Sequence, residues 1–223
     1  MHRSALLVGS ALLAGCAAQG QFESNYLEQV NPPYLAETKI VILMHDHDLE
    51  YTFEGKPTSQ IGENITLTMP LGSILREVSA SVFQSYFMYG VVFTEELSPS
   101  LLYLVALEPE IRDFSYRYDR QVEADVFDLR RGGSGDLEAE PVSIITPSIS
   151  FTLDINAYDS DGKVLLQKSY DSGQVAGESY IVTSRPHERI NATFHKALQE
   201  IMLKVADDIR PFLAEAEIPE QGF

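Results

Sequence analysis

The chain has 223 residues, of which 44% are apolar, and this combination predicts one sizeable folded domain rather than a disordered segment. Its 16 basic and 33 acidic residues give a formal net charge of −17, which argues against nucleic acid as a partner because such a field repels polyanions. The single cysteine excludes a disulfide framework within the chain and a metal site made of several cysteines.

The amino-terminal segment MHRSALLVGSALLAGC is typical of an export signal. Arg3 precedes an apolar run from Ala5 to Ala14, which is too short to stay in a membrane as a spanning helix. The residues LAGC at its end resemble the lipobox of bacterial lipoproteins. This resemblance implies that residues 1–15 are a lipoprotein signal peptide and that Cys16, acylated on its thiol and new amine, anchors the mature chain. The alternative is a chance cysteine in an ordinary secretory signal.

The residue after this cysteine bears on the destination of the chain. In the enteric version of the lipoprotein family, a residue other than Asp after the cysteine implies transport to the outer membrane, and here it is Ala17. The resemblance therefore implies an outer-membrane protein that is anchored by lipid and faces the periplasm, rather than a protein that spans the membrane.

The predicted domain boundaries follow from periodicity and proline content. Residues 16–36 show no sustained periodicity and contain two consecutive prolines, which predicts a lipid-anchored tether that leaves the membrane in extended form. Regular apolar patterns begin after this segment. A single α+β domain is therefore predicted over 37–214, followed by a short C-terminal tail over 215–223.

The first predicted strand, KIVILM at 39–44, ends in the stretch HDHD. In an extended segment His45 and His47 project to one face, and Asp46 and Asp48 project to the other. Two imidazoles on one face could bind a metal, and metal-dependent hydrolases of the amidohydrolase type carry HxH at the end of their first strand. The stretch is therefore a candidate metal site.

The sequence offers few further ligands for such a site. Amidohydrolases need a barrel of repeated strand and helix units, and this chain lacks that pattern. Leu49 and Glu50 stand where the metallo-β-lactamase motif HxHxDH requires Asp and His, and only His187 and His195 remain as imidazole donors beyond the signal. We therefore predict a polar, solvated strand end with no metal or cofactor. A metal-dependent hydrolase that uses the two histidines of HDHD stays an alternative.

The next elements are predicted from their periodicity. Alternation predicts a strand over 64–69 and a longer strand over 101–111 that continues to 127. Between them, 69–90 predicts an amphipathic helix, because apolar residues recur at three- and four-residue steps: Ile74, Leu75, Val78, Val82, Phe83, Tyr86 and Phe87. Three arginines of the long strand are expected to form a solvated face paired with neighbouring acidic residues: Arg112, Arg117 and Arg120.

A glycine-rich and acidic segment, which includes the residues from Arg130 to Glu140, separates the two halves of the predicted sheet. It lacks the phosphate-binding patterns GxxxxGK[ST] and GxGxxG, so it is predicted to join two long strands or to project as a contact loop. A β-hairpin is predicted over 146–173, where Gly162 supplies the positive φ angle of the turn.

A closing helix is predicted from the apolar residues at helical spacing after Arg189, and Pro211 should end or bend it because proline lacks an amide proton. His195 lies beside the apolar face of this helix and is expected to be packed rather than to bind a ligand. The resulting order predicts an α+β fold of two layers, with a mixed or antiparallel sheet and two main helices packed on one face.

The order of these elements carries a second resemblance. The lipobox LAGC, the early helix, the hairpin ending in DSDGKVL and the closing helix ATFHKALQEIMLKVADDI resemble those of small envelope lipoproteins. These are the lipopolysaccharide-assembly lipoprotein, the auxiliary lipoproteins of lipid-transport ABC systems, and lipoproteins with a fold like the amino-terminal domain of the Tol translocation protein. The resemblance implies an accessory or assembly component of an envelope transport or secretion complex.

No catalytic residue is predicted. The sequence has no GxSxG motif and acylation would consume its only thiol, so acyl-transfer chemistry has no visible nucleophile. The expected partners are the membrane, through Cys16, and an envelope protein with a basic patch, although solubility alone would also explain the acidic surface. The chain could also form a homo-oligomer. A second alternative function is binding of a lipid or small ligand in a groove between helix and sheet.

Overall fold

Strands and helices follow one another in an α+β order, and the computed structural model describes residues 17–124, 141–181, 186–213 and 215–216. The strands are β1 (Ala17–Gln19), β2 (Leu35–Ala36), β3 (Ile40–Leu43), β4 (Phe53–Gly55), β5 (Thr66–Met69), β6 (Val91–Thr94), β7 (Val105–Ala124), β8 (Pro141–Tyr158), β9 (Val164–Asp171), β10 (Val175–Ala176), β11 (Tyr180–Ile181) and β12 (Glu215–Ala216). The helices are α1 (Asp46–Leu49), α2 (Leu71–Tyr86) and α3 (Pro186–Ile209). No helix within these ranges is long and apolar enough to cross a membrane.

The main sheet is mixed and is built on the long antiparallel pair of β7 and β8. Its strand order is β10-β8-β7-β3-β6, and β9 and β11 also pair with β8. β3 runs parallel to both β6 and β7, whereas β8 and β9 are antiparallel. The alternation of apolar and polar residues along β7 and β8 gives the sheet one buried face and one polar face. The remaining strands form two small sheets, β1-β5-β4 and β12-β2.

The two long helices pack together on one face of the main sheet, so the predicted fold class is confirmed. Their buried residues form one core with the strands, and Phe194 of α3 contacts the rings of Phe114 and Phe151. The other face of the sheet, which we call the open face, carries a small cluster of Val41, Tyr103 and Ala106. Beyond this cluster the open face is polar.

A bulge in β7 changes which side chains share a face. The pairing of β7 with β8 shifts between Arg112 and Ser115, and Asp113 adopts a φ angle of +53°. Because one extra residue is inserted, Arg112 and Arg117 both lie on the open face, whereas Arg120 lies on the helix side. The predicted single face of three arginines is therefore wrong for Arg120. The other two are paired with acids as predicted, Arg112 with Glu110 and Asp154, and Arg117 with Asp119.

Residues 17–36, which we call the arm, are docked on the domain and do not form the predicted tether. β1 pairs in parallel with β5. Further along the arm, the backbone of Glu28 exchanges two hydrogen bonds with the side chain of Gln199, at 2.9 and 2.7 Å, and the Tyr34 hydroxyl donates to the carbonyl of Ala206. Buried polar groups of α3 need partners, and the arm supplies them. The folded domain therefore begins before residue 37.

The predicted C-terminal tail also begins inside the fold. β12 pairs with β2, which places Glu215 opposite Ala36 at the end of the arm. The predicted signal peptide, Cys16 and the segment from Arg130 to Glu140 lie outside the described residues, so the predictions made for them stay predictions.

Two local predictions are confirmed by the backbone. Gly162 has a φ angle of +77° in the turn between β8 and β9, and the carboxylate of Asp159 accepts the amide protons of Asp161 and Lys163. The closing helix ends at Ile209 and is followed by a single 3-10 turn, Arg210–Phe212, which contains the proline predicted to stop it.

Candidate functional site

The HDHD stretch is a helical turn and not the extended strand end that the sequence predicted. β3 ends at Leu43, and the carbonyl of His45 accepts the amide protons of Asp48 and Leu49, both at 3.0 Å. His45 is therefore the N-cap residue of α1, and the carboxylates of Asp46 and Asp48 lie in the first turn, where the helix dipole favours negative charge. This placement of acids is favourable for a helical turn.

The two histidines of HDHD are close together, and each lies near one carboxylate. Their rings stack in parallel with centroids 5.5 Å apart. His45 Nε2 lies 3.7 Å from Glu108 Oε1, and His47, whose side chain is 78% exposed, lies 3.2 Å from Asp48 Oδ1. Within the described ranges, no three His, Cys, Asp or Glu side chains are grouped so that they could hold a metal ion. His195, one of the two other imidazoles beyond the signal, is buried elsewhere in the fold, as predicted for a packed residue.

A polar cavity of about 340 Å³ lies on the open face next to these histidines. The carboxylate of Glu108 accepts hydrogen bonds from the Tyr158 hydroxyl at 2.6 Å and from the Asn156 amide at 3.1 Å. Burial and the hydrogen bond to Glu108 raise the pKa of Tyr158 to about 12, so its hydroxyl stays a donor at neutral pH. Glu108 therefore belongs to a hydrogen-bonded network between β7 and β8 at this cavity, which is the behaviour of a structural group.

His195 joins the arm to α3. It is fully buried, as predicted for a packed residue, between the rings of Phe22 and Tyr26. Its Nδ1 lies 2.8 Å from the carbonyl of Asn191, which can only accept, and its Nε2 accepts the amide proton of Glu23 at 3.1 Å. Both contacts fit the neutral ring with its proton on Nδ1. Burial lowers the pKa of His195, although the Asn191 carbonyl and the Glu23 carboxylate oppose this.

We expect acid to weaken the fold through this histidine. The unfolded chain binds a proton near the ordinary pKa of 6.5, whereas the folded chain resists protonation. The contribution of His195 to stability is therefore complete above pH 6.5 and is lost as the pH falls toward the lower folded pKa. Urea unfolding across this window should show a steeper acid loss for the native chain than for His195→Gln, which cannot titrate.

His47→Gln is the matched control for this experiment, because it removes a histidine that is 78% exposed and keeps His195, so the acid loss through His195 should persist. An equal acid loss in the native chain and in His195→Gln would contradict the assignment of a buried, neutral ring.

A free sheet edge lies at β6, the outer strand of the main sheet. Gly90 and Thr94 accept hydrogen bonds from the amides of Ile40 and Met44, so alternate residues of β6 turn their backbone groups toward β3. The backbone groups of Val91 and Phe93, the residues between, therefore point away from the sheet. In the described part of the chain, no strand pairs with this outer side.

The side chains around β6 differ between its two ends. Met88 and Tyr89, which precede it, are 47% and 64% exposed, whereas the exposed acids Glu95 and Glu96 follow it. Phe93 is half-buried beneath the guanidinium of Arg76, which lies 4.9 Å from the ring centroid. The edge therefore offers backbone groups flanked by an apolar end and an acidic end.

The sequence analysis did not identify β6. The signal was present, since VVFT is a short β-branched and aromatic run that follows Gly90 and precedes Pro99. A run of four residues is too short to separate from a loop by periodicity, and its position at the edge depends on pairing with β3 across a distant part of the chain.

The chain was compared with known proteins. No model of a known protein family matches the sequence, and no curated protein matches it. Among solved structures, it is similar to a protein described as a neuraminyllactose-binding hemagglutinin homolog from Helicobacter pylori, with 10% identity and a TM-score of 0.40 over 82% of this chain and 92% of that chain. It is also similar to a minor lipoprotein from Acinetobacter baumannii, with 11% identity and a TM-score of 0.29 over 80% of this chain and 98% of that chain. Likenesses this distant carry no argument about what this chain binds.

Proposed function

We propose that this chain is a non-enzymatic, lipid-anchored accessory component of an envelope transport or assembly complex, and that it binds a partner protein along β6. The observation that carries this proposal is the free edge of β6, where the backbone groups of Val91 and Phe93 point outward. A strand of a partner can pair with such an edge with little reorganisation, because the donors and acceptors are already in register.

The surroundings of β6 indicate the chemistry of the partner strand. Exposed Met and aromatic side chains such as Met88 and Tyr89 are enriched in protein interfaces, and here they lie next to the strand. Glu95 and Glu96 lie at its other end, in a chain whose net charge is −17. We infer a basic partner strand, whose association would be faster at low ionic strength than above the physiological range.

The polar cavity supports a role without catalysis. Its carboxylates and hydroxyls are engaged with one another, as in the contacts of Glu108 with Tyr158 and Asn156. A catalytic base or nucleophile needs a group that is poised toward a substrate. Glu108 is instead bonded to Asn156 and Tyr158, and Asp154 to Arg112 and Ser169. The lipobox LAGC supports the anchor, which would confine the domain to a membrane surface.

A proline at position 93 is expected to weaken partner binding without dismantling the sheet. The amide of Phe93 points outward, so Phe93→Pro removes one donor from the free edge and none from the pairing with β3. Loss of one such hydrogen bond should lower affinity by about 2- to 10-fold. The measurement is photo-crosslinking of the full chain in its native envelope, with the crosslinker at Tyr89 and the captured protein identified by mass spectrometry.

Phe93→Ala is the matched control, because it also loses the ring but keeps the outward amide, so it should capture more of the same partner than Phe93→Pro does. Equal capture by the two variants would contradict binding along this edge. Recovery of free monomer alone, together with turnover of a substrate by the purified protein, would contradict the proposed function as a whole.

A further inference from the structure

An open apolar groove of about 400 Å³ lies at the far end of the pair of β7 and β8. Tyr118 and Ile145 form its floor, because they are neighbours on the helix side of the two strands. Ile61 and Ile65, which precede β5, form one wall, and Tyr180 of β11 forms the other. The groove is therefore distinct from the polar cavity near HDHD and from the free edge of β6.

The start of the described chain lies beside this groove. Ala17 pairs with Thr66, the residue that follows Ile65 in the groove wall, and the Tyr116 hydroxyl donates to the Ile65 carbonyl at 3.4 Å. The residue before Ala17 is Cys16, and consecutive α-carbons lie about 3.8 Å apart. A lipid on Cys16 would thus be joined to the folded domain next to the groove, without intervening slack.

The surroundings of Arg120 differ from those of the other two arginines of β7. Arg120 lies at the groove and donates through Nε to the hydroxyl of Ser143 at 3.0 Å. Within the described ranges it makes no ion pair with a carboxylate, in contrast to Arg112 and Arg117 on the open face. An arginine without a carboxylate partner, in a chain of net charge −17, leaves its guanidinium available to an external anion.

An exposed apolar side chain extends the groove. Val122 follows Arg120 by two residues, so it lies on the same face of β7, and it is 61% exposed. We call Val122 together with Ile61, Ile65, Arg120 and Tyr180 the anchor-side surface.

We propose that the anchor-side surface rests on the phospholipid membrane that holds the anchor. Its apolar side chains would enter the boundary of the acyl chains, where burial of apolar surface is favourable and tyrosine is commonly found. Arg120 would contact the lipid phosphates, two oxygens of which can accept paired hydrogen bonds from the planar guanidinium. The inference rests on the proposed anchoring at Cys16, and it adds which end of the domain faces the lipid.

Two exposed valines at opposite ends of the sheet provide the test. Val122 pairs with Ser143 and Val164 pairs with Tyr158, so the two positions are separated by 15 residues of β8, or about 50 Å. Their exposed fractions are similar, 61% and 54%, so Val122→Cys and Val164→Cys are both expected to fold. Because acylation consumes the only native thiol, each variant would carry one free thiol for a fluorophore.

The experiment uses the lipidated full chain in vesicles of phosphatidylethanolamine and phosphatidylglycerol that contain a brominated lipid as quencher. We expect a several-fold greater loss of fluorescence at position 122 than at position 164. Equal quenching at the two positions, or greater quenching at 164, would overturn the proposed orientation. Adding Arg120→Glu to the Val122→Cys variant should reduce its quenching, whereas Arg117→Glu on the opposite face should not.

Sedimentation with the vesicles and the mass of the amino-terminal peptide separate the two ways in which the inference can fail. An acylated chain that sediments with vesicles but is quenched equally at both positions contradicts the anchor-side surface and leaves the anchor intact. A chain that is neither acylated nor sedimented contradicts the anchor itself, and the proposed orientation with it.

Discussion

Replacing Phe194 with alanine is expected to lower the free energy of unfolding by about 3–5 kcal/mol. This ring is fully buried in α3 and meets Phe114 and Phe151 edge to face, with centroids 5.4 and 5.1 Å away. Such aromatic pairs add about 0.5–1.5 kcal/mol to the effect of burial. Because Phe194 joins the closing helix to both long strands, the cavity left by alanine would lie where the two layers of the fold meet.

Urea unfolding of the purified protein measures this loss, and Phe212→Ala is the control because Phe212 is 37% exposed. Phe194→Leu keeps much of the buried volume and should cost clearly less than alanine, so a series remains measurable if the alanine variant is largely unfolded. A loss in Phe194→Ala that is no larger than in Phe212→Ala would contradict the packing described for this ring.

Gly72→Ala is expected to destabilise the protein by about 1–3 kcal/mol, although alanine is the better helix former. A Cβ atom at Gly72 would lie 1.8 Å from the carbonyl oxygen of Asp48 and 2.6 Å from that of Leu49. Both are backbone atoms of α1, and the amide of Gly72 itself donates to the carbonyl of Tyr51 at 3.0 Å. The first turn of α2 and the HDHD turn therefore cannot keep their present separation around a methyl group.

The sign of the change in the free energy of unfolding distinguishes a steric clash from an effect of helix propensity. Without a clash, alanine in a helix would stabilise the chain by about 0.5–1 kcal/mol relative to glycine. Thermal and urea unfolding should therefore show a loss for Gly72→Ala and a change close to zero for Ser73→Ala, an exposed neighbour in the same turn. A more stable Gly72→Ala variant would show that α1 does not lie against α2.

The elements predicted correctly are those in which the spacing of apolar residues follows one buried face. Alternation along β7 and β8 and the apolar stripe of α3 are long patterns, and each is set by one buried face. The docking of the arm has no comparable pattern in the sequence, because the arm binds polar groups of α3 that are far away in the chain, such as Gln199. Regular alternation would place Arg112 and Arg120 on one face of the sheet and Arg117 on the other. The bulge at Asp113 instead places Arg112 and Arg117 together and Arg120 on the opposite face.

The candidate sites divide in the same way. The sequence analysis singled out HDHD because His and Asp are metal-binding residue types. Its helical turn is instead made by backbone hydrogen bonds to the His45 carbonyl, without a side-chain cap. The free edge of β6 and the anchor-side surface are properties of neighbouring strands, so they become visible only when β3 and β5 are in place. The lipid site at Cys16 stays a prediction from the lipobox.

If the signal is cut at the lipobox as predicted, the position of β1 sets an order of events during maturation. The bond expected to be cut precedes Cys16, and β1 begins at the next residue, with Gly20 donating to the Thr68 carbonyl at 2.8 Å just after the strand. A peptidase needs an extended, accessible backbone around the bond that it cuts. Once β1 has docked, its pairing with β5 holds the residues that directly follow that bond. Removal of the signal must therefore come before β1 docks, or require β1 to open. The first strand in the chain would then be among the last to join the fold.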